Sequence, residues 1–362
     1  MAREQSPALR RGWTTGACAA AASRAAFVAM LGGRFPDPVV IRLPRGGTAT
    51  FPLALAERCD ACARAGVVKD AGDDPDVTNG ALIIAETAWA APGTGIVFAS
   101  GEGVGTVTRA GLSLAIGEPA INPAPRALIR EMLFASAAEA GAPSPDVVVT
   151  ITIPGGDRLA EKTMNARLGI IGGLSILGTT GVVIPYSCAS WIHSIHRGID
   201  VARAAGLEHI AAATGATSEH AVQRLYGLPD HGMIDMGDFV GGTLKYLRRR
   251  PVERLTIAGG FAKLAKLAAG HLDLHSAKSR VDIAALAGIL GELGAEPGIV
   301  EAARATKGAT EILAIAGRLR EALACAIAWR AREVALATLC GKTAVEVAIV
   351  DRQGDFLARV GA

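Results

Sequence analysis

The segment Lys69-Asp70-Ala71-Gly72-Asp73-Asp74-Pro75-Asp76-Val77-Thr78 places four carboxylates and a lysine on a stretch broken by glycine and proline, between two apolar runs. Chain held in a turn cannot scatter like charges as an exposed helix face does, so their repulsion has to be offset locally. Asp70, Asp73, Asp74 and Asp76 are therefore candidates for a functional site. The competing reading is a solvated connection whose aspartates cap turns.

Other residues pair chemistry with spacing. Lys263 and Lys266 stand three apart in a helix-forming run, which presents both on one side, where they could grip carboxylates. His271 and His275 follow the glycine stop at Gly270; the plainer alternative is snorkelling lysines and histidines bonded to local carbonyls. Thr14-Thr15-Gly16 precedes the helix Ala17–Leu31 and supplies its N-cap and first turn, with free N–H groups facing back at the loop. Gly178-Thr179-Thr180-Gly181 and Thr214-Gly215 join glycine to small hydroxyls, and Gly259-Gly260 follows another apolar run. At the carboxyl ends of parallel strands such turns line a ligand crevice, although neither hydroxyl turn matches Gly-x-Gly-x-x-Gly and tight packing alone can demand them.

Three further motifs read as structural. Gly101-Glu102-Gly103-Val104-Gly105-Thr106 suits a hairpin connection better than an anion cradle. Cys59-Asp60-Ala61-Cys62 has half-site spacing but no second such pair, and is expected to be two packed thiols. His193 and His196 lack a third metal ligand nearby in sequence.

A length of 362 residues suits two domains, and an apolar share of 50% with only 4% aromatics implies cores of Ala, Val, Leu and Ile. After the first helix, short strands at Val39–Leu43, Thr48–Leu53, Ala63–Val68 and Ala81–Ala88 describe a mixed α+β N-terminal domain over 1–144. It ends with the helix Arg126–Ala140 and the linker-like Gly141–Pro145. From 145 to 362, strand–turn–helix repeats (Leu207–Ala213 into Glu219–Tyr226, Arg254–Ala258 into Phe261–Ala269) describe an α/β, Rossmann-like three-layer domain with a mostly parallel sheet. Val147–Ile153 would open it as a strand buried on both faces, and Asp282–Leu293, Ala309–Leu339 and Val345–Val350 would close it as two helices and a strand.

A net charge of +3, from 37 basic and 34 acidic residues, is too balanced for a broad nucleic-acid-binding surface. Arg248-Arg249-Arg250 reads as the solvated end of a helix stopped by Pro251. No uncharged apolar run is long enough to cross a bilayer, and residues 1–7 lack the apolar core of a signal peptide, so a cytoplasmic protein with free thiols is expected.

Taken in order, Leu9-Arg10-Arg11-Gly12-Trp13-Thr14-Thr15-Gly16, the Asp-rich loop, Thr163-Met164-Asn165 with Leu168-Gly169-Ile170, Ser175-Ile176-Leu177-Gly178-Thr179-Thr180-Gly181, and Lys263-Leu264-Ala265-Lys266 with His275-Ser276 closely resemble the cobalt-precorrin-5B C1-methyltransferase family. Trp13, Asn79, Ala262 and Leu274 depart from its usual tyrosine, histidine, glycine and threonine. The resemblance implies an S-adenosylmethionine-dependent methyltransferase acting on C1 of cobalt-precorrin-5B in anaerobic cobalamin biosynthesis. Its partner would be a cobalt-corrinoid small molecule, with no nucleic acid or membrane involved.

In that setting Arg10, Arg11, Thr14, Thr15, Gly16, Lys69, Lys263 and Lys266 would meet the carboxylates fringing the ring. Asp70, Asp73, Asp74, Asp76 or His275 would balance the sulfonium or move a proton. Gly178, Thr179, Thr180, Gly181, Thr214, Gly215, Gly259 and Gly260 would hold the S-adenosylmethionine. Two readings compete: a nucleotide-dependent oxidoreductase, which would need a true Gly-x-Gly-x-x-Gly and an acidic ribose partner, and a non-catalytic corrinoid-binding protein. Helices after Asp282 carry no assigned motif; they complete the core or form a contact in a homo-oligomer.

Overall fold

A computed structural model describes residues 9–361, so the stretch 1–7 read above for its lack of an apolar core lies outside the described residues. The chain forms two compact units that divide after Ser187.

The first unit begins with β1 (Gly12–Trp13), α1 (Thr15–Met30), the hairpin β2 (Val39–Arg42) and β3 (Thr48–Phe51), then β4 (Leu55–Arg58) and β5 (Cys62–Val68). It continues with β6 (Leu82–Trp89), β7 (Ile96–Ser100), β8 (Thr106–Val107) and α2 (Pro123–Glu139). β9 (Val147–Thr152), α3 (Gly156–Ala160), β10 (Ile170–Ile171) and β11 (Val182–Val183) complete it. Alanine is the strongest helix former and the smallest side chain that still fills space, and the run Ala17–Ala22, Ala25, Ala26, Phe27 and Ala29 is wholly buried. So slender a helix can lie against α2 and against β5 and β6 at once. The sheet order is β4-β5-β6-β9-β7, antiparallel except for the parallel β7–β9 pair.

Three expectations fail here. The division expected at 144/145 falls inside this unit, because β9 pairs with β6 and β7; Gly141–Pro145 is only the connection from α2. β9 also alternates buried and half-buried positions rather than being covered on both faces. In the β4–β5 turn, Cys59 and Cys62 form a disulfide instead of two packed thiols, since the hairpin brings their Cα atoms to 5.0 Å.

The second unit begins with α4 (Cys188–Ala204), β12 (His209–Ala213), α5 (Ala216–Tyr226), β13 (Met233–Asp235), α6 (Val240–Arg249), β14 (Arg254–Gly260) and α7 (Phe261–Ala268). α8 (Ile283–Glu292), α9 (Pro297–Arg304), α10 (Ala309–Ile315), α11 (Arg320–Leu339), β15 (Ala344–Val350) and β16 (Phe356–Val360) follow. Its sheet runs β13-β12-β14-β15 in parallel, with β16 antiparallel at the edge. Strand periodicity sends Ile210, Leu255, Ile257, Val345 and Val347 into the larger core and Ala211, Ala213, Ala258 and Ala348 against Val222 of α5. The run read as one helix over Ala309–Leu339 breaks at Gly317, whose φ of 52° ends α10 before α11 starts. Beneath α5, Glu346 is fully buried, accepts from Tyr226 and Thr256, and pairs with Arg254 and Arg359.

Candidate functional site

In the first unit the Asp-rich loop closes on itself and on the chain leading into α1. Lys69, just past the end of β5, places Nζ 2.5 Å from Asp76 Oδ2, 2.5 Å from Thr78 Oγ1 and 3.2 Å from Thr15 Oγ1, engaging all three ammonium donors. Its side chain is 2% exposed, against 24% for Asp76. Burial pushes the Asp76 carboxyl up, but the Lys69 charge and the hydrogen bonds from Lys69 and Thr78 outweigh it and hold the group below the usual carboxylate range. Cys18 of α1 is buried nearby; burial pushes its thiol up to about 12 against the opposing Lys69 charge, which leaves it inert as a nucleophile.

The remaining aspartates also have partners. Asp70 takes a fork from the Arg10 guanidinium at 2.5 and 2.9 Å, and this bond, aided by Gly72 N–H, lowers its pKa. Asp73 Oδ2 accepts from Arg10 N at 2.6 Å, and Asp74 Oδ1 from Tyr186 N at 2.8 Å. Asn79 Oδ1 clips the loop by accepting from Ala71 N at 2.9 Å. Gly72, at φ 69°, lets the segments cross: a Cβ there would lie 2.2 Å from Arg10 O. The charge cluster is thus neutralised by Arg10, Lys69 and backbone N–H groups, with one oxygen of Asp73 and one of Asp74 left unengaged.

Several expected ligand-binding groups turn out to be occupied by the fold. The turn Gly178-Thr179-Thr180-Gly181 belongs to the first unit and not to the parallel sheet. It receives Thr14 N–H on Gly181 O at 2.9 Å, while Gly16 N–H meets Leu177 O at 3.0 Å and β11 pairs with β1. Thr14 N–H and Gly16 N–H at the start of α1 are therefore spent on this segment, and Thr14 Oγ1 caps Ala17 N at 3.1 Å. Lys69, buried in its ion pair, is not free to meet a peripheral carboxylate. Lys266 faces the core at 8% exposure and donates to Leu274 O at 2.8 Å. His275 is exposed on its loop, with Nδ1 accepting from Ala277 N at 3.2 Å.

What stays open around the first cluster is Arg11, Thr179 and a set of exposed apolar side chains. Leu9, Val77, Leu177, Ile184 and Tyr186 are neighbours in sequence of the residues just described, and Tyr186 is held at φ 56°, a conformation costing a non-glycine residue about 1 kcal/mol, by its bond to Asp74.

In the second unit β12, β14 and β15 end side by side, and a cavity of about 520 Å³ opens at their carboxyl edge. Thr214, Gly215, Gly260 and Lys263 line it. Gly259 instead lies inside β14, where a Cβ would come 2.7 Å from Thr214 Oγ1. Lys263 Nζ donates to Thr214 O at 3.1 Å and pairs with Asp238 at 3.0 Å. Sequence reasoning missed the opposite wall, formed by Thr310 and Arg320 at the starts of α10 and α11 and by Asp351 and Arg352 after β15. Asp351 Oδ1 accepts from Gln353 N and Asp355 N at 2.9 and 3.0 Å, and Oδ2 lies 3.6 Å from Arg320. An acidic residue directly after the apolar run Val345–Val350 was the available signal. Among the described residues no cluster of His, Cys, Asp and Glu could hold a metal ion, and no helix is long and apolar enough to cross a membrane.

The family described as CbiD matches residues 2–185, and the CbiD C-terminal domain matches residues 273–361. A cobalt-precorrin-5B C(1)-methyltransferase of Brucella anthropi is 56% identical over 353 residues, covering 97% of this chain and 96% of that protein. The protein of the same name from Brucella abortus strain S19 is 57% identical with the same coverage. Among solved structures, the cobalamin biosynthesis protein cbiD of Archaeoglobus fulgidus is 30% identical with a TM-score of 0.40, covering 75% of this chain and 83% of that one.

Proposed function

The chain belongs to the CbiD family, and from that membership we propose that it methylates C1 of cobalt-precorrin-5B, a corrin-ring intermediate of cobalamin biosynthesis, with S-adenosylmethionine as donor. The observation that carries the proposal is likeness over 97% of the chain to proteins bearing that name. We read the second unit as a Rossmann-like donor domain and the first as the corrinoid domain. When bound, the donor supplies a methyl group on a sulfonium, whose departure as a neutral thioether needs alignment more than covalent help.

The residues of each unit fit these roles. In the first, exposed Leu9, Leu177, Ile184 and Tyr186 offer apolar area to a flat macrocycle, and Arg11 offers a cation to its carboxylate fringe. The Lys69–Asp76 pair and the Arg10–Asp70 fork keep that surface in place rather than touching the ring. In the second, the cavity volume suits a nucleoside-sized ligand, Leu313, Ala314 and Leu357 give apolar walls, and Asp351 can accept from hydroxyl groups.

The test is incubation of the purified chain with cobalt-precorrin-5B and methyl-labelled S-adenosylmethionine, with a nicotinamide cofactor in a parallel reaction. Label moving onto the pigment, with a mass gain of one CH2, supports the proposal. A nicotinamide-dependent absorbance change would favour an oxidoreductase, and tight pigment binding without transfer a corrinoid-binding protein.

A further inference from the structure

We infer that the crevice of the second unit holds a dedicated carboxylate subsite, built from the amino termini of α5 and α7 with the Thr214 hydroxyl, and that it takes the amino-acid carboxylate of the methyl donor. The inference rests on the donor assigned above. Two helices of 11 and 8 residues begin at one cavity, and neither Gly215 nor Gly260 caps its helix through a side chain. Helix starts usually carry Ser, Thr, Asp or Asn to satisfy the first N–H groups; glycine at both leaves those donors open to water or to a ligand in the cavity.

Thr214 is the independent sign. It lines the cavity and is 8% exposed, its N–H goes to Ala258 O at 2.9 Å and its carbonyl accepts from Lys263, yet its hydroxyl has no protein partner. That hydroxyl opens on the cavity, where a ligand oxygen can take the place of the water it would otherwise bond. Gly259 supports this position, since any side chain there would press on Thr214 Oγ1. Of the charged residues of the lining, Lys263 is paired with Asp238 and Arg320 lies 3.6 Å from Asp351, which leaves Arg352 as the excess charge. The local field therefore favours an anion.

Titration calorimetry of the full chain with S-adenosylhomocysteine and with 5′-methylthioadenosine, which lacks the amino-acid end, tests this directly. S-adenosylhomocysteine should bind at least about tenfold more tightly, Thr214→Val should weaken it about tenfold while sparing methylthioadenosine, and Thr214→Ser should restore it. Equal affinity of the two nucleosides, or equal weakening of both by Thr214→Val, overturns the subsite while leaving the donor assignment intact. Inorganic phosphate that binds tightly and is not displaced by S-adenosylhomocysteine also overturns it, giving the anion site to a phosphate ligand. Failure of both nucleosides to bind sinks the donor assignment itself. Should Thr214→Val not fold, the comparison on the unaltered chain decides.

Discussion

Replacing Asp76 by Asn strips the counter-charge from a lysine with 2% exposure, while replacing Lys69 by Met leaves behind a carboxylate with 24% exposure that water and the Thr78 hydroxyl and N–H still reach. The two halves of one ion pair should therefore be unequal. Uncovering a buried, unpaired charge costs about 3–5 kcal/mol. The Asp76 carboxylate, partly hydrated and still doubly bonded, should cost Lys69→Met only about 1–2 kcal/mol. The double variant should be less damaged than the sum of the singles, because no lone charge remains. Hydrogen exchange of the α1 amides under increasing urea is the right readout, since a chain of two units need not unfold in one step and Thr15 of α1 touches the pair. The pH dependence has a definite sign. Folded Asp76 titrates below the ordinary value of 3.8, so on acidification the unfolded chain takes the proton first; the contribution is whole above about pH 5 and disappears as pH falls through the folded value. Asp76→Asn should flatten that slope. A loss under about 1 kcal/mol for Asp76→Asn, or a larger loss for Lys69→Met, would refute the reasoning.

Gly178 has φ 128°, and a Cβ would sit 2.4 Å from Thr14, so Gly178→Ala should disturb the α1 cap and lower stability by about 2–4 kcal/mol in thermal melts. Glu346→Gln should cost about 1–3 kcal/mol, moderated because Arg254 and Arg359 are each 34% exposed and can be hydrated. Burial pushes the Glu346 carboxyl up, but bonds from Tyr226, Thr256 and Arg359 bring it below the ordinary 4.5, so denaturation below about pH 5 should lose part of its acid slope in that variant. His275→Ala should leave methyl transfer within about twofold of the parent, as expected for an exposed side chain bonded only locally; a tenfold loss would return it to the catalytic set.

Elements with strong local signals were legible. The alanine-rich run with Thr14 ahead of it gave α1 and its cap, and Asp282 ahead of an apolar run gave the start of α8. Glycine turns were not, because a turn that receives the N–H groups of a helix start and one that receives a ligand need the same small residues. Gly178–Gly181 turned out to be of the first kind, while Thr214 and Gly215 lie at a cavity. Lysine spacing placed Lys263 and Lys266 near one side of a helix, but only packing against the core decided that Lys266 would be buried.

What the sequence determined by itself is the local chemistry: where helices start, which strands alternate, and that like-charged carboxylates crowd one broken stretch of chain, because propensity, capping and like-charge repulsion act between residues close in the chain. Only the tertiary structure decided which partners answered, since Arg10 reaches Asp70 across sixty positions and Asp351 joins Thr214 at one cavity through the order of strands in a sheet. Those pairings depend on how separate segments come to share space, and that is fixed by how each unit buries its own core.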